Sequence, residues 1–356
     1  MEVLQDSLED SIVNEDAQVV TVSSSMEPVE AFKILLENRI QSAPVWHEEE
    51  GRYIGFIELR DLVCYALAEV HKDDVCKGAE STFYTEGIPE RGYQHVTYLA
   101  RRNPYKPFQL DQTVGEAITC LARKRCHRLP VVNNDGELIY ILSQTSIIQF
   151  LNSRVDAFLG GIGDKTIEEL NIGTYPLITV KDTLPAHAAL ELVDNKGISG
   201  VGIVDSEDGT LVGNTSGSDL HIFLRDGASL AMPVLDFFAQ ARQDVTGIDR
   251  AATITCTKDQ TLAKVIAKLA KTKVHRIYVV DEEKRPLGII SVQDICRVFA
   301  RFLPKCTRSE SLNLSQRSSL DGSDTTPPFS PISPTTCSFP TTPASSAPEG
   351  VATIKH

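Results

Sequence analysis

One unit recurs four times along this chain, and that repetition limits the possible folds more than any other feature. The clearest copy runs from Ile254 to Ala300 and opens with a short β-prone run. Leu262, Val265, Ile266 and Leu269 then recur at i, i+3, i+4 and i+7, the stripe of one helix face. Val279 and Val280 mark a buried strand, Lys284-Arg285-Pro286 a polar turn and Leu287–Ser291 a second strand, and a last helix begins near Gln293. The same order recurs in Phe108–Asn152, where Val114, Ala117, Ile118 and Leu121 form the stripe and RLPVV and LIYIL the strands. It recurs in Val19–Val70, with Val29, Phe32, Leu35 and Leu36, then APVW and YIGFI. A weaker copy, Leu177–Leu224, has an alanine-rich first helix and the strands VGIV and TLVGN. Each copy reads β-α-β-β-α, with outer bounds 18–70, 106–155, 177–225 and 252–302. A unit this small buries too little surface to stand alone. Copies one and two are therefore expected to pair across their sheets as one domain, and copies three and four as another.

The length agrees, since 356 residues suffice for about two domains. Two connecting segments stand out: Asp156–Thr174 joins the halves, and His71–Lys106 is long enough to carry structure or function of its own. From 303 to 356 the chain is rich in Ser, Thr and Pro, and it is expected to be disordered. A net charge of −13 and a pI near 5.1 argue against nucleic acid as the main partner, while still permitting a small basic pocket in an acidic shell. The acidic start, MEVLQDSLED, lacks an apolar core segment, so no signal peptide is expected. No run reaches the roughly 18 apolar residues of a spanning helix. The eight cysteines are scattered without a C-x-x-C pair. They read as reduced thiols of a cytoplasmic or nuclear protein, with no zinc or other metal site.

Three copies place a carboxylate at the start of the last helix: Asp61, Asp219 and Asp294. In two of them a serine stands three residues earlier, Ser216 and Ser291; the second copy has Ser143 and Ser146 instead. A carboxylate there can accept two hydrogen bonds from a cis-diol such as that of a ribose. The same spacing can equally be a helix cap, and both readings stay open. Copies two and four carry His127-Arg128 and His275-Arg276 just before a strand, each behind further cations. These can complement a helix dipole, or line a shared phosphate site if the copies face each other. Trp46 ends a strand and is expected in the core. G-I-G-D-K-T near Gly161 lacks P-loop spacing, and no hydrolase or metalloprotease motif is present, so no catalytic residue is expected.

The runs K-T-I-E-E-L-N-I-G-T-Y (Lys165–Tyr175), V-H-R-I-Y-V-V-D (Val274–Asp281) and C-H-R-L-P-V-V (Cys126–Val132), with Y-I-L-S from Tyr140, carry a resemblance. The unit resembles the CBS domain. Four in one chain resemble the gamma regulatory subunits of AMP-activated protein kinase and their fungal and plant relatives, over roughly Val19 to Phe302. The resemblance implies an α/β fold of four CBS repeats, paired into two CBS-pair (Bateman) domains that form a flattened disc around a central channel. On that pattern Asp61, Ser216, Asp219, Ser291 and Asp294 hold ribose. His127, Arg128, His275 and Arg276 hold phosphate, and Thr174, Ile178, Ser199, Gly200 and Ile254 contact adenine or phosphate. It implies AMP, ADP and ATP as ligands, with no cofactor, and a catalytic alpha and a scaffolding beta subunit as partners. Tyr93–Lys106 resembles the region near the beta contact. Departures fall at the first site: Gln41 and Thr145 stand where cations are usual, and Glu58 replaces a hydroxyl residue before Asp61. Gly200 and Gly202 are expected to loosen the third copy. Two alternatives stay open, a structural subunit whose nucleotide response has faded and a CBS adaptor for a different enzyme or transporter.

Overall fold

The hydrophobic stripes become helices over four small sheets in a computed structural model. It describes residues 4–12, 19–63, 65–67, 95–123, 126–158, 161–198, 200–220, 229–243 and 253–303. Ser199, most of the 71–106 connection and the Ser/Thr/Pro-rich stretch from Pro304 onward lie outside them. A one-turn helix, α1 (Leu8–Ser11), precedes the first repeat, which holds β1 (Val22–Ser23), α2 (Pro28–Glu37), β2 (Ser42–His47) and β3 (Arg52–Glu58). Helix α3 (Val96–Arg102) leads into the second: β4 (Phe108–Gln109), α4 (Val114–Leu121), β5 (Arg128–Val132), β6 (Leu138–Ser143) and α5 (Gln144–Ser153). A short α6 (Ile167–Leu170) precedes the third: β7 (Thr179–Lys181), α7 (Ala186–Lys196), β8 (Gly200–Val204) and β9 (Leu211–Ser216). Helix α8 (Val234–Gln243) leads into the fourth: β10 (Thr255–Cys256), α9 (Leu262–Thr272), β11 (Arg276–Val280), β12 (Pro286–Ser291) and α10 (Val292–Ala300).

In every sheet the short first strand runs parallel to the second, and the second antiparallel to the third. The same register shift recurs at Val45/Trp46, Val131/Val132, Ile203/Val204 and Val279/Val280, so one folded unit has been copied. Local signals start the helices. Thr113–Glu116, Ser143–Ser146 and Ser291–Asp294 are reciprocal capping boxes. Helix α9 starts on the Thr261 cap and buries Leu262, Val265, Ile266 and Leu269, the stripe read from the sequence. The alanine-rich α7 buries Ala186, Ala189, Leu190 and Val193 and ends at Gly197, whose φ of 59° suits glycine. In the third repeat Asp219 sits in a 3-10 turn, Gly217–Leu220.

Two kinds of contact join the repeats. Backbone pairing joins consecutive ones: Phe56 N–H donates to Asn103 C=O ahead of β4, and Leu211 N–H donates to Lys284 C=O ahead of β12. Apolar helix faces join alternate ones. Repeats two and four share one core, which includes Ile118, Leu121, Ile147, Leu269, Ile295 and Phe299; repeats one and three share the other, around Phe32, Leu62, Leu190 and Phe237. The contacts thus close a cycle, one to two to four to three to one.

The acidic start also has a structural place. Ser7 caps α1 and bridges Thr113, while Leu4 and Leu8 are fully buried in the core of repeats two and four. Thr166 caps α6 and bridges Thr261 in the same way, and Ile167 is buried in that core as well. Ser7-Leu8-Glu9-Asp10 and Thr166-Ile167-Glu168-Glu169 are therefore one element used twice.

Candidate functional site

Register gives each repeat the same pair of positions. β2, β5, β8 and β11 begin with Ser42, Arg128, Gly200 and Arg276, opposite Glu58, Ser143, Ser216 and Ser291. The odd repeats start small and the even repeats start with arginine. The pairing has a steric reason at Gly200, where a Cβ would collide with the Arg276 guanidinium and with Thr215 C=O. Gly200 makes room for an arginine from the next repeat, a more specific role than loosening the third copy. At the other end of these positions Glu58 is the exception, a carboxylate where three repeats carry serine.

His127, Arg128, His275 and Arg276 come together from repeats two and four, close enough to act on one another electrostatically. Burial pushes the His275 ring down to about 4, and Arg128, Arg276 and His127 push it the same way. Burial likewise lowers His127; Glu58 opposes, while Arg60, Arg128 and Arg276 reinforce the fall. Arg60 Nη1 lies 3.1 Å from His127 Nε2, and since a guanidinium can only donate, that nitrogen is a lone-pair acceptor. Both rings are neutral at pH 7, so the positive charge of the centre belongs to its arginines.

On the side of repeats one and two the centre meets buried carboxylates. Glu58 Oε2 lies 2.7 Å from Arg60 Nε, and its Oε1 lies 4.0 Å from Arg128 Nη1. Asp61 Oδ2 accepts from Glu58 N–H at 2.9 Å and from Asn103 Nδ2 at 3.2 Å. Burial, then repulsion from Glu58, pushes the Asp61 carboxyl up to about 7 against the pull of Arg60 and Arg102. Arg60 Nη2 donates to Asn103 Oδ1 at 2.7 Å. Gln41 is exposed and Thr145 half-buried, while Ser42 Oγ is buried with no hydrogen-bond partner among the described residues.

On the side of repeats three and four Asp294 is a cap by geometry. Its Oδ2 accepts from Ser291 N–H at 2.9 Å and from Ser291 Oγ at 2.6 Å, and its Oδ1 from Arg297 at 2.6 Å. A carboxylate has about four lone-pair sites. A diol would thus need Arg297, whose side chain is 37% exposed, to swing away. Asp219 is half-buried in its turn, and Ser216 pairs with Gly200 through the backbone. Thr174 exchanges two backbone bonds with Ile289, Ile178 C=O accepts from Gly202 N–H, and Ile254 C=O accepts from Tyr278 N–H. Ile178 packs on the core of repeats one and three, Ile254 on that of two and four.

Two members of the network, Arg60 and Asn103, escape a reading of the repeats. Arg60 is visible only as the neighbour of Asp61, and Asn103 comes from the connecting segment after α3. Trp46 differs from expectation: it is 38% exposed, edge-on to Tyr53 at the opposite end of the sheet from Glu58. Its neighbour Val45 takes the core-facing side of β2, and Trp46 lies on the other. Among the described residues no group of three His, Cys, Asp or Glu is placed to hold a metal ion.

The CBS domain family model matches residues 12–68, 100–153, 167–226 and 245–301. The gamma subunit of 5'-AMP-activated protein kinase of Dictyostelium discoideum is 29% identical over 293 residues, 78% of this chain and 48% of that protein. The gamma-3 subunit of Sus scrofa is 26% identical over 291 residues, 78% of this chain and 53% of that protein. The chain spans about half the length of the curated relatives it matches. A Methanocaldococcus jannaschii protein, described as a candidate archaeal homologue of γ-AMPK, shares the fold at 18% identity and a TM-score of 0.60, covering 83% of this chain and 100% of its own.

Proposed function

Because this chain belongs to the CBS-domain family and carries four copies of the domain, we propose that it is a non-catalytic regulatory subunit. On this reading it binds AMP, ADP and ATP in competition and serves a heterotrimeric Ser/Thr protein kinase as an energy sensor. One observation carries the proposal. In a chain of net charge −13, Arg128 and Arg276 converge with two neutral, donor-capable histidines. Guanidinium forks match phosphate oxygens two at a time, and two of them beside ring N–H groups form a phosphate cradle. On this reading Asp294, Asp219 and Asp61, with Ser291 and Ser216, hold the ribose diols. Thr174, Ile178, Ser199, Gly200 and Ile254 contact adenine or phosphate on the same reading. A nucleotide can change kinase activity only by binding two states of the complex unequally, and a ligand held between repeats is placed to do so. On this reading the partners are a catalytic alpha and a scaffolding beta chain; the similar proteins are named gamma subunits of 5'-AMP-activated protein kinase.

Calorimetric titration with AMP and ATP, alone and in the reconstituted trimer, tests the sensor. Saturable binding is expected, with affinities that differ between the two settings. Absence of binding in both would leave a structural subunit, a reading that Glu58 favours at the first site because its carboxylate already engages Arg60 and Arg128. Capture of alpha and beta kinase chains by the tagged protein separates both from an adaptor for some other enzyme.

A further inference from the structure

The four-fold register singles out Glu58. Serine occupies the same strand-end position in the other three repeats, and at Ser143 and Ser291 it only caps a helix. Glu58 gives Asp61 the same backbone N–H bond that Ser291 gives Asp294, but its side chain pairs with Arg60 where the Ser291 hydroxyl accepts from the helix N–H of Asp294. The Glu58 side chain turns into the basic centre, with 9% of its surface exposed, 2.7 Å from Arg60 and 4.0 Å from Arg128. Arg128 is itself enclosed, with 14% of its side chain exposed. A guanidinium so far from water needs an anion beside it, and leaving it unpaired costs far more than an exposed charge would.

On the anion-binding reading of this centre, we propose that Glu58 is its resident counter-anion: a tethered carboxylate that holds Arg128 when no phosphate is bound and that a phosphate must displace. The centre then has two unequal sides. Toward Gly200 and Arg276 the strand-end residues are Ser216 and Ser291, and no carboxylate stands at that position. Toward Ser42 and Arg128 a phosphate competes with an internal anion whose tether gives it a high effective concentration. The result is a raised threshold: only ligands carrying several negative charges, at high concentration, exchange with Glu58. On their arrival the Glu58–Arg60 pair is freed together with the segment around Asn103, to which Arg60 donates.

The test uses inorganic pyrophosphate, which has the charge of the ligand without its base or sugar. Glu58→Gln keeps the shape and the hydrogen-bonding reach to Arg60, and Glu58→Ser restores the residue of the other repeats. Both variants are expected to bind pyrophosphate at least tenfold more tightly than the wild-type chain. Both should also melt at lower temperature without anions and recover when pyrophosphate is added. Affinities equal to wild type in both variants would overturn the proposal. A crystal structure of the wild-type chain with pyrophosphate serves even if the variants do not fold. There Glu58 is expected outside ion-pair distance of Arg128, with a phosphate oxygen in its place; a phosphate on Arg128 with Glu58 unmoved overturns the idea. If AMP and ATP bind no better than pyrophosphate to wild type and variants alike, the nucleotide reading fails while the role of Glu58 stands.

Discussion

Asp294 can be a helix cap and a ribose ligand at once, because the two roles use different lone pairs. Its Oδ2 is committed to Ser291, while its Oδ1 is held by the partly exposed Arg297. Charge-assisted bonds to a diol are worth about 1.5–3 kcal/mol, and the loss of a cap about 1 kcal/mol. Asp294→Ala should therefore weaken AMP binding by tenfold or more while the fold survives; calorimetry beside thermal melting separates the two. A lower melting temperature with unchanged AMP affinity would leave only the cap. Asp61 differs, because it is buried beside another carboxylate. Its folded pKa of about 7 lies above the ordinary 3.8, so between those values the folded state holds more protons than the unfolded one. Its contribution to stability falls as pH rises from about 4 to about 7. His275 works in the opposite sense: its folded value near 4 lies below 6.5, so stability is lost as pH falls through that window. In the ligand-free protein, Asp61→Asn should raise the melting temperature relative to wild type, and by more at pH 7.5 than at pH 5. A gap that stays constant with pH would mean that Asp61 titrates normally.

At the scale of elements, the first turn of β8 is built around a neighbour. The Arg276 guanidinium occupies the space of a Gly200 Cβ, so Gly200→Ala must displace either the arginine or the strand pairing at Thr215. Overpacking of this kind costs about 1–3 kcal/mol. The expected outcome is a lower melting temperature together with weaker phosphate binding, and wild-type phosphate affinity would place Arg276 outside the anion site. Helix α1 makes a second case. It has only four residues, too few to hold its own shape, and its order comes from burial of Leu8 and from the bridge of Ser7 to Thr113. Leu8→Ala should cost about 2–5 kcal/mol, as for a core leucine. A change below 1 kcal/mol in denaturant unfolding would show the segment to be an ornament.

At the scale of the whole molecule, sheets and helices bind the repeats in different orders. Backbone pairing ties one to two and three to four, but the apolar faces tie two to four and one to three. Each half of the chain completes its helix cores against the other half. Leu269→Ala, in α9 of the fourth repeat, is expected to cost about 2–5 kcal/mol. Hydrogen exchange should then accelerate in α5 of the second repeat as well, because α5 and α9 pack together and Gln149 Nε2 donates to Ala270 C=O. Acceleration confined to the fourth repeat would mean that the two repeats open independently.

Local chemistry determined the repeat itself. Helical stripes such as Leu262–Leu269, strands such as RLPVV, and caps such as Ser291–Asp294 depend on residues a few positions apart, and neighbours in sequence suffice to specify them. The sequence also pointed to Asp294 and Arg276, because each recurs at one position of the repeat, and to Glu58 as a departure from the family pattern. What it could not settle is which residues meet across copies. Asn103 reaches Asp61 from 42 positions away, a separation that no periodicity connects. Arg276 finds its space at Gly200, and Glu58 finds Arg128, only when separate repeats fold against each other. The role of Leu4 and Leu8 is hidden for the same reason: their partners lie in helices more than a hundred residues later, and burial depends on the assembled core. Trp46 shows the reverse, an apolar side chain left exposed because successive residues of a strand face opposite sides and Val45 takes the core side.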